Sequence, residues 1–217
     1  MTPTRHLALG LVLTATAGMT DVVGFMELGG YYTSFMSGNT TQIGAGLIHS
    51  VPLLLLPAAL VFLFFVGSFI GSYIAGVGEP AGPTGVLTFT TTTMLGSLGL
   101  QLFGVAPQVA LLPLALAAGA QNAILPQRGA ARLGTTFVSG TLYMAGQDLA
   151  RAVRQQAPPL RWAQHLLVWL SLPIGGYVGA LAYTYLTKAA LIVPLTIYLM
   201  FLAGYLLLTN KAFVARL

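Results

Sequence analysis

The sequence predicts an all-α polytopic membrane protein. Six transmembrane helices are expected as two inverted three-helix repeats, each with a re-entrant strand plus half-helix. Three observations lead there. Only 6% of the 217 residues are charged and 56% are apolar, against about a quarter charged in an ordinary soluble domain, so lipid must be the main solvent. Six apolar stretches are long enough to cross a bilayer core, which takes about 20 helical residues. Two further stretches, too polar at their start to face lipid and too apolar to be solvated loops, resemble each other.

The spans fall near His6–Leu28, Leu53–Val77, Gly85–Phe103, Ala106–Leu125, Trp162–Leu186 and Ala189–Leu208. Arg5 and His6 ahead of Ala15-Thr16-Ala17 imitate a secretory signal with its cleavage site. The repeat described next gives that span a structural part, so it is expected to be retained. Glu79-Pro80-Ala81-Gly82-Pro83 reads as a loop and Gly104-Val105-Ala106-Pro107 as a tight connection. The 26 glycines and 12 prolines suit membrane helices, where neighbouring helices re-satisfy freed backbone groups.

The two remaining segments are Gly29–Ser50 and Pro126–Arg161, with re-entrant parts expected over 29–50 and 126–155. The first carries Phe35-Met36-Ser37-Gly38-Asn39-Thr40 and the second Phe137-Val138-Ser139-Gly140-Thr141-Leu142. Before them stand Ala17-Gly18-Met19-Thr20-Asp21 and Ala118-Gly119-Ala120-Gln121-Asn122, and after them the pairs Gly67/Gly71 and Gly175/Gly179. The three offsets are 102, 101 and 108 residues, so order and spacing are kept. The chain therefore divides into a first repeat, 1–105, and a second, 106–217.

Basic residues set the expected orientation. If each re-entrant segment returns to its own side, Arg5, Arg128, Arg132, Arg151, Arg154, Arg161, Lys211 and Arg216 are cytoplasmic and only Lys188 is outside. If each segment crosses fully, Arg128 and Arg132 join Lys188 outside and the halves run parallel. The positive-inside bias favours the first arrangement, with both termini cytoplasmic in a bacterial inner membrane and His49 outside. The net charge of +5 is thereby an orientation signal, and no nucleic-acid partner is expected.

Four acidic residues exist, Asp21, Glu27, Glu79 and Asp148. Glu79 sits in the loop, Glu27 reads as an interfacial charge, and Asp148 reads as a surface ion pair with Arg151 one helical turn on. Asp21 lies inside the first span, where a charge costs about 2.5 kcal/mol or more and marks a functional candidate by default. The plainer reading is polar glue between helices. Its repeat counterpart Asn122 does not ionise, so only the first half carries a coupling group. Ser37-Gly38-Asn39-Thr40 follows a strand-like run, Tyr31–Met36, and precedes a short helix, so Ser37 or Asn39 is expected to cap that helix. The matching string Ser139-Gly140-Thr141 is expected to point back from the other side. Two helix N-termini meeting at the midplane hold a polar or anionic solute in many transporters. The candidate substrate-binding and coupling residues are thus Asp21, Ser37, Gly38, Asn39, Thr40, Gln121, Asn122, Ser139, Gly140 and Thr141.

Other chemistry is excluded or finds no support. The chain has no Cys, hence no disulfide, thiolate nucleophile or thiolate metal site. His49 and His165 have no ligand companions at metal-binding spacing. No phosphate-binding Gly-rich loop with its Lys and no Gly-x-Ser-x-Gly elbow occurs, so no enzymatic activity, cofactor or metal is expected. The Gly-x-x-x-Gly pairs read as close helix packing and Trp162 as an interface anchor.

The strings Ala17–Phe25, Phe35–Thr41 and Ala118–Ala123 resemble the YoaK family of small bacterial inner-membrane proteins, across nearly the whole chain, with Phe-Met-Ser-Gly-Asn-Thr the most specific part. Thr20 departs from the small or aromatic residue expected there. The resemblance implies about six spans and supplies no substrate. A strand followed by a half-helix in each of two inverted repeats is similar, at the level of fold, to the core of nucleobase and sulfate-type permeases. The expected function is secondary transport of a small polar or anionic solute, proton- or cation-coupled through Asp21. A channel or oligomeric pore for a small solute or ion, and a structural or sensory membrane subunit, are the alternatives. At 22.7 kDa the chain is small for a complete transporter, so a homodimer in the bilayer is plausible.

Overall fold

The computed structural model describes residues 4–48, 52–125, 136 and 138–214. These build helices α1 (Thr4–Glu27), α2 (Met36–Gly46), α3 (Pro52–Ala75), α4 (Ala81–Leu102), α5 (Pro107–Ala110), α6 (Leu112–Gln121), α7 (Val138–Val153), α8 (Arg161–Leu186) and α9 (Ile192–Val214), with a 3-10 turn at Thr187–Ala189. No strand forms among the described residues. His49, Arg128, Arg132, Phe137 and Arg216 lie outside them.

Each boundary has a local cause. α1 stops where Gly29 and Gly30 take positive φ, and the Gly30 N–H returns to the Phe25 carbonyl at 2.9 Å, satisfying an end group that would otherwise be orphaned. The expected span 106–125 is two helical pieces, because Pro113 near the start of α6 brings no N–H to a continuous ladder. α4 is rich in threonine yet lies inward. Thr84, Thr88, Thr91 and Thr93 turn their hydroxyls onto carbonyls one turn back at 2.7–2.9 Å, which satisfies these donors within the helix, while the buried Thr90 hydroxyl finds no partner among the described residues.

Among the described residues, three helical stretches are long and apolar enough to cross a membrane, His6–Glu27, Leu54–Ala75 and Arg161–Ala189, and Ile192–Leu207 is a shorter apolar helix. The surface agrees with lipid as solvent. α3 exposes Phe62, Phe65, Phe69 and Tyr73, a stripe far too apolar for water. Thr14, Thr16, Asn39, Thr90 and Ser97 are fully buried. α2, with 11 residues, rises about 16 Å, about half of a hydrocarbon core.

The first helix of each half packs on a helix of the other half. α1 lies on α8 and α6 lies on α3, while α2 packs on α3, α7 on α8, and α4 lies among α3, α6 and α9. Glycine makes both crossings possible. A Cβ on Gly175 would strike the Ala15 carbonyl, and one on Gly67 would strike the Leu116 carbonyl. Gly179 would meet Met19 Cα at 2.7 Å and Gly71 would meet Ala120 Cα at 2.6 Å. Reciprocally, Gly18 faces the Leu172 carbonyl and Gly119 the Phe64 carbonyl. Every one of these contacts maps onto the other by adding 101 residues on α1 and subtracting 108 on α8. Such close backbone approach is what small residues contribute between helices in lipid.

Candidate functional site

Asp21 is buried, 8% exposed, on α1. Its carboxyl group accepts the Ser34 N–H at 2.5 Å, the Ser34 hydroxyl at 2.7 Å and the Thr33 hydroxyl at 3.1 Å. The chain from Tyr31 to Phe35 is thereby laid back along α1, and Gly24 leaves room for the Thr33 methyl, which would sit 2.7 Å from a Cβ there. This replaces the expected strand. A strand needs a neighbour for its N–H and C=O groups, and here side chains take that part. Asn39, fully buried, accepts the Tyr32 N–H at 3.0 Å and donates to the Tyr32 carbonyl at 2.7 Å. Gln42 donates to the Gly30 carbonyl at 2.8 Å.

The second half repeats the arrangement with neutral groups. Asn122, just beyond α6, donates to Thr136 Oγ1 at 2.9 Å and to the Ala118 carbonyl at 3.1 Å, and its Oδ1 accepts the Thr136 N–H at 3.4 Å. Its neighbour Gln121 is buried among three helices, donating to the Leu13 carbonyl of α1 at 2.8 Å and accepting the Tyr198 hydroxyl of α9.

The two Ser-Gly strings do not meet across the centre. α2 and α7 pack on different helices, with no substantial packing on each other among the described residues. Ser37, Thr40, Ser139 and Gly140 are exposed, Gly38 is half-buried, and Asn39 and Thr141 are buried. Ser37 is not a cap: α2 begins at Met36 after Phe35, without a side-chain cap, and Ser139 lies inside the first turn of α7. The physical reason is local satisfaction. Thr40 and Thr41 return their hydroxyls to the Met36 and Ser37 carbonyls at 2.8 and 3.0 Å, and Thr141 to the Val138 carbonyl at 2.7 Å, so nothing polar in the strings demands a partner across the bundle.

A hollow lies elsewhere. A cleft of about 730 Å³ opens between α3 and α6, lined by Ser68, Ser72, Glu79, Gly119, Asn122 and apolar neighbours. Ser68 donates to the Gly119 carbonyl at its wall at 3.3 Å. Of the expected site residues, Asn122 reaches this cleft. Ser68, Ser72 and Glu79 were not expected. Gly67-x-x-x-Gly71 was the available signal, since Ser68 and Ser72 each follow one of its glycines.

Asp148 differs from the surface pair expected for it. It is buried, 3% exposed, and gathers Arg161 Nε at 3.0 Å, His165 Nε2 at 3.4 Å and Arg151 at 3.6 Å. Val138, Thr141, Ala145 and Asp148 form the buried stripe of α7, so the register that seats α7 on α8 also carries the acid inward. Arg161 and His165, one turn apart on α8, receive it. Glu27 is likewise engaged, accepting the Tyr183 hydroxyl at 3.0 Å.

Residues 9–204 match the family model described as Protein of unknown function (DUF1275). The chain is 32% identical over 201 residues to the UPF0700 transmembrane protein RA0705 of Rhizobium meliloti, covering 88% of this chain and 83% of that one. It is 24% identical over 153 residues to the UPF0700 transmembrane protein YoaK of Bacillus subtilis, covering 67% and 68%. No solved structure matches it. The chain belongs to the DUF1275 family, as its resemblance to YoaK implied, and is a membrane protein.

Proposed function

We propose that this transmembrane family member is a secondary transporter of a small polar solute, bound in the cleft beside Asn122. The observation that carries the reading is the cleft itself. In a chain with 6% charged residues, Ser68, Ser72 and Asn122 line one hollow between packed helices, joined by Glu79 from the connection between α3 and α4. Polar groups on apolar helices are expensive, and gathered around a space they mark a solute pathway. The only charge among the described lining residues is that of Glu79, which favours a neutral or cationic solute over an anion.

In this reading the segments 1–105 and 106–217 are inverted repeats in a bacterial inner membrane with both termini cytoplasmic, and Asp21 is the coupling group. The matched glycine contacts support the repeat, and the charge distribution supports the orientation. A homodimer remains part of the proposal because of the chain's size. One observation favours the structural alternative instead: Thr33 and Ser34 already occupy both carboxyl oxygens of Asp21.

Purified protein in proteoliposomes, offered labelled amino acids, nucleobases, polyols and monovalent cations, tests the reading. Saturable uptake of one of them, abolished by Ser72→Trp with the thermal unfolding midpoint retained, is expected. Uptake that never saturates points to a channel or oligomeric pore. No uptake of any, with no stabilisation by any, leaves a structural or sensory subunit.

A further inference from the structure

The corner where α7 gives way to α8 gathers cations. Arg151 stands in the last turn of α7, Arg154 just beyond it, and Arg161 opens α8. Arg161–Ala189 is one of the stretches able to cross a membrane, so its first turn lies at the lipid–water boundary. Trp162 suits that depth, its indole N–H donating to the Pro159 carbonyl at 2.9 Å. Asp148 does more than neutralise. Buried, with His165 Nε2 at 3.4 Å, it draws Arg161 Nε to 3.0 Å and Arg151 Nη1 to 3.6 Å. Two guanidinium groups are thereby held on one carboxylate while each stays more than a third exposed. Because Arg161 meets the acid through Nε, the terminal amino groups of its fork are left for an acceptor outside. Arg154 pairs with no acid among the described residues. Three arginines against one aspartate leave a surplus of two positive charges. Leu149, Val153 and Leu160, interleaved with them along the chain, are exposed.

We propose that this corner binds the headgroup of an anionic phospholipid, with Arg151 and Arg161 as a fork pre-set by Asp148 and Arg154 as a further contact. The planar guanidinium matches two oxygens of one phosphate, which an ammonium group does not. The charge surplus favours an anionic lipid over a zwitterionic one. The exposed Leu149, Val153 and Leu160 favour a lipid over a soluble anion, because acyl chains cover apolar surface and a free anion does not. Such binding requires only that the chain lies in a membrane, whether or not it transports a solute.

Trp162 is the reporter. In a Trp169→Phe background it is the one tryptophan of the chain. The protein is placed in phosphatidylcholine nanodiscs with a small fraction of brominated phosphatidylglycerol or brominated phosphatidylcholine, whose chains quench a tryptophan they touch. The anionic lipid should be preferred beside Trp162 about ten-fold or more. Arg151→Gln should lower that preference about five-fold, and Arg151→Lys, which keeps the charge and loses the fork, should lower it nearly as much. Lys188→Gln, beyond the far end of α8, should change nothing. If Trp169→Phe does not fold, the same preference is read in the parent by native mass spectrometry, as lipid retained through delipidation. Equal occupancy by the two lipids overturns the site. An Arg151→Lys protein that matches the parent overturns the fork and leaves diffuse attraction. Inorganic phosphate that raises the unfolding midpoint in micelles where phosphatidylglycerol does not assigns the fork to a soluble anion and likewise overturns the lipid.

Discussion

Asp21 and Asn122, 101 residues apart, fasten the returning chain of their own half in the same way: the Asp21 carboxyl accepts the N–H and hydroxyl of Ser34 at 2.5 and 2.7 Å, and Asn122 Oδ1 accepts the N–H and hydroxyl of Thr136 at 3.4 and 3.2 Å. An amide therefore already does in one half what the acid does in the other. The difference between them is charge, not shape, and that separates the structural part of Asp21 from any part in coupling.

Asp21→Asn should accordingly keep the fold. Its Oδ1 can still accept the Ser34 N–H, so the loss is expected to stay within about 1 kcal/mol, the ordinary net contribution of one hydrogen bond. Asp21→Leu removes every acceptor. The two hydroxyls can turn elsewhere and the Ser34 N–H cannot, so a loss of about 3 kcal/mol is expected for the stranded donor and its neighbours. Denaturant titration in detergent micelles measures both. Equal losses would show that the charge itself holds the segment.

The matched glycines predict matched damage. Gly67→Ala and Gly175→Ala each drive a methyl into a backbone carbonyl across the crossing, and should each cost about 1–3 kcal/mol, as overpacking does. Gly99→Ala on α4 has nothing within 4 Å of the new methyl, so it should be neutral or stabilise by up to about 1 kcal/mol through helix propensity. Unfolding midpoints of the three variants check the order. A Gly67→Ala protein as stable as Gly99→Ala would remove the close crossing of α3 and α6.

Much of this fold was legible in the residues. The apolar stretches locate the long helices, and the repeated glycines foretell where backbones touch, because both signals are local or periodic. The sequence also singled out Asp21 and Asn122. It did not reveal what they hold: Thr33 and Ser34 reach Asp21 only after the chain reverses at Gly29 and Gly30. Nor did it reveal where α2 and α7 lean, because their polar strings satisfy themselves one turn back and leave no signature of a distant partner. Asp148 was misjudged for a similar reason. Its neighbour Arg151 was visible three residues on, whereas Arg161 and His165 belong to the next helix.

Asp148 should behave as a buried charge with necessary partners. Asp148→Leu leaves Arg161 and Arg151 without their acceptor; both are more than a third exposed and can turn to water, so a loss of about 1–3 kcal/mol is expected. Arg151→Gln should cost under about 1 kcal/mol, because that guanidinium is 49% exposed and 3.6 Å away. The damage should be confined to the seat of α7 on α8, so limited proteolysis between Val153 and Arg161 should accelerate in Asp148→Leu. Uniform unfolding, with no cleavage preference for that connection, would contradict a local role.

Exchanging the acid between the halves is the most demanding test of the coupling proposal. If Asp21 couples transport, Asp21→Asn should abolish uptake driven by an imposed pH gradient while solute exchange persists, because the fold and the cleft are untouched. If the halves are equivalent, Asn122→Asp in that background places one carboxyl where Thr136 offers a hydroxyl and an N–H in the same pattern. The doubly exchanged protein should then recover stability to within about 1 kcal/mol of the parent and regain part of its gradient-driven uptake. Asn122 also lines the cleft, so the new acid should strengthen cation retention there, read as a lower KM for a cationic solute. Proteoliposome flux, using the solute returned by the uptake panel, measures each term. Undiminished gradient-driven uptake by Asp21→Asn alone would end the coupling role, and Asp21 would remain what its three hydrogen bonds make it, the fastening of residues 33 and 34 to α1.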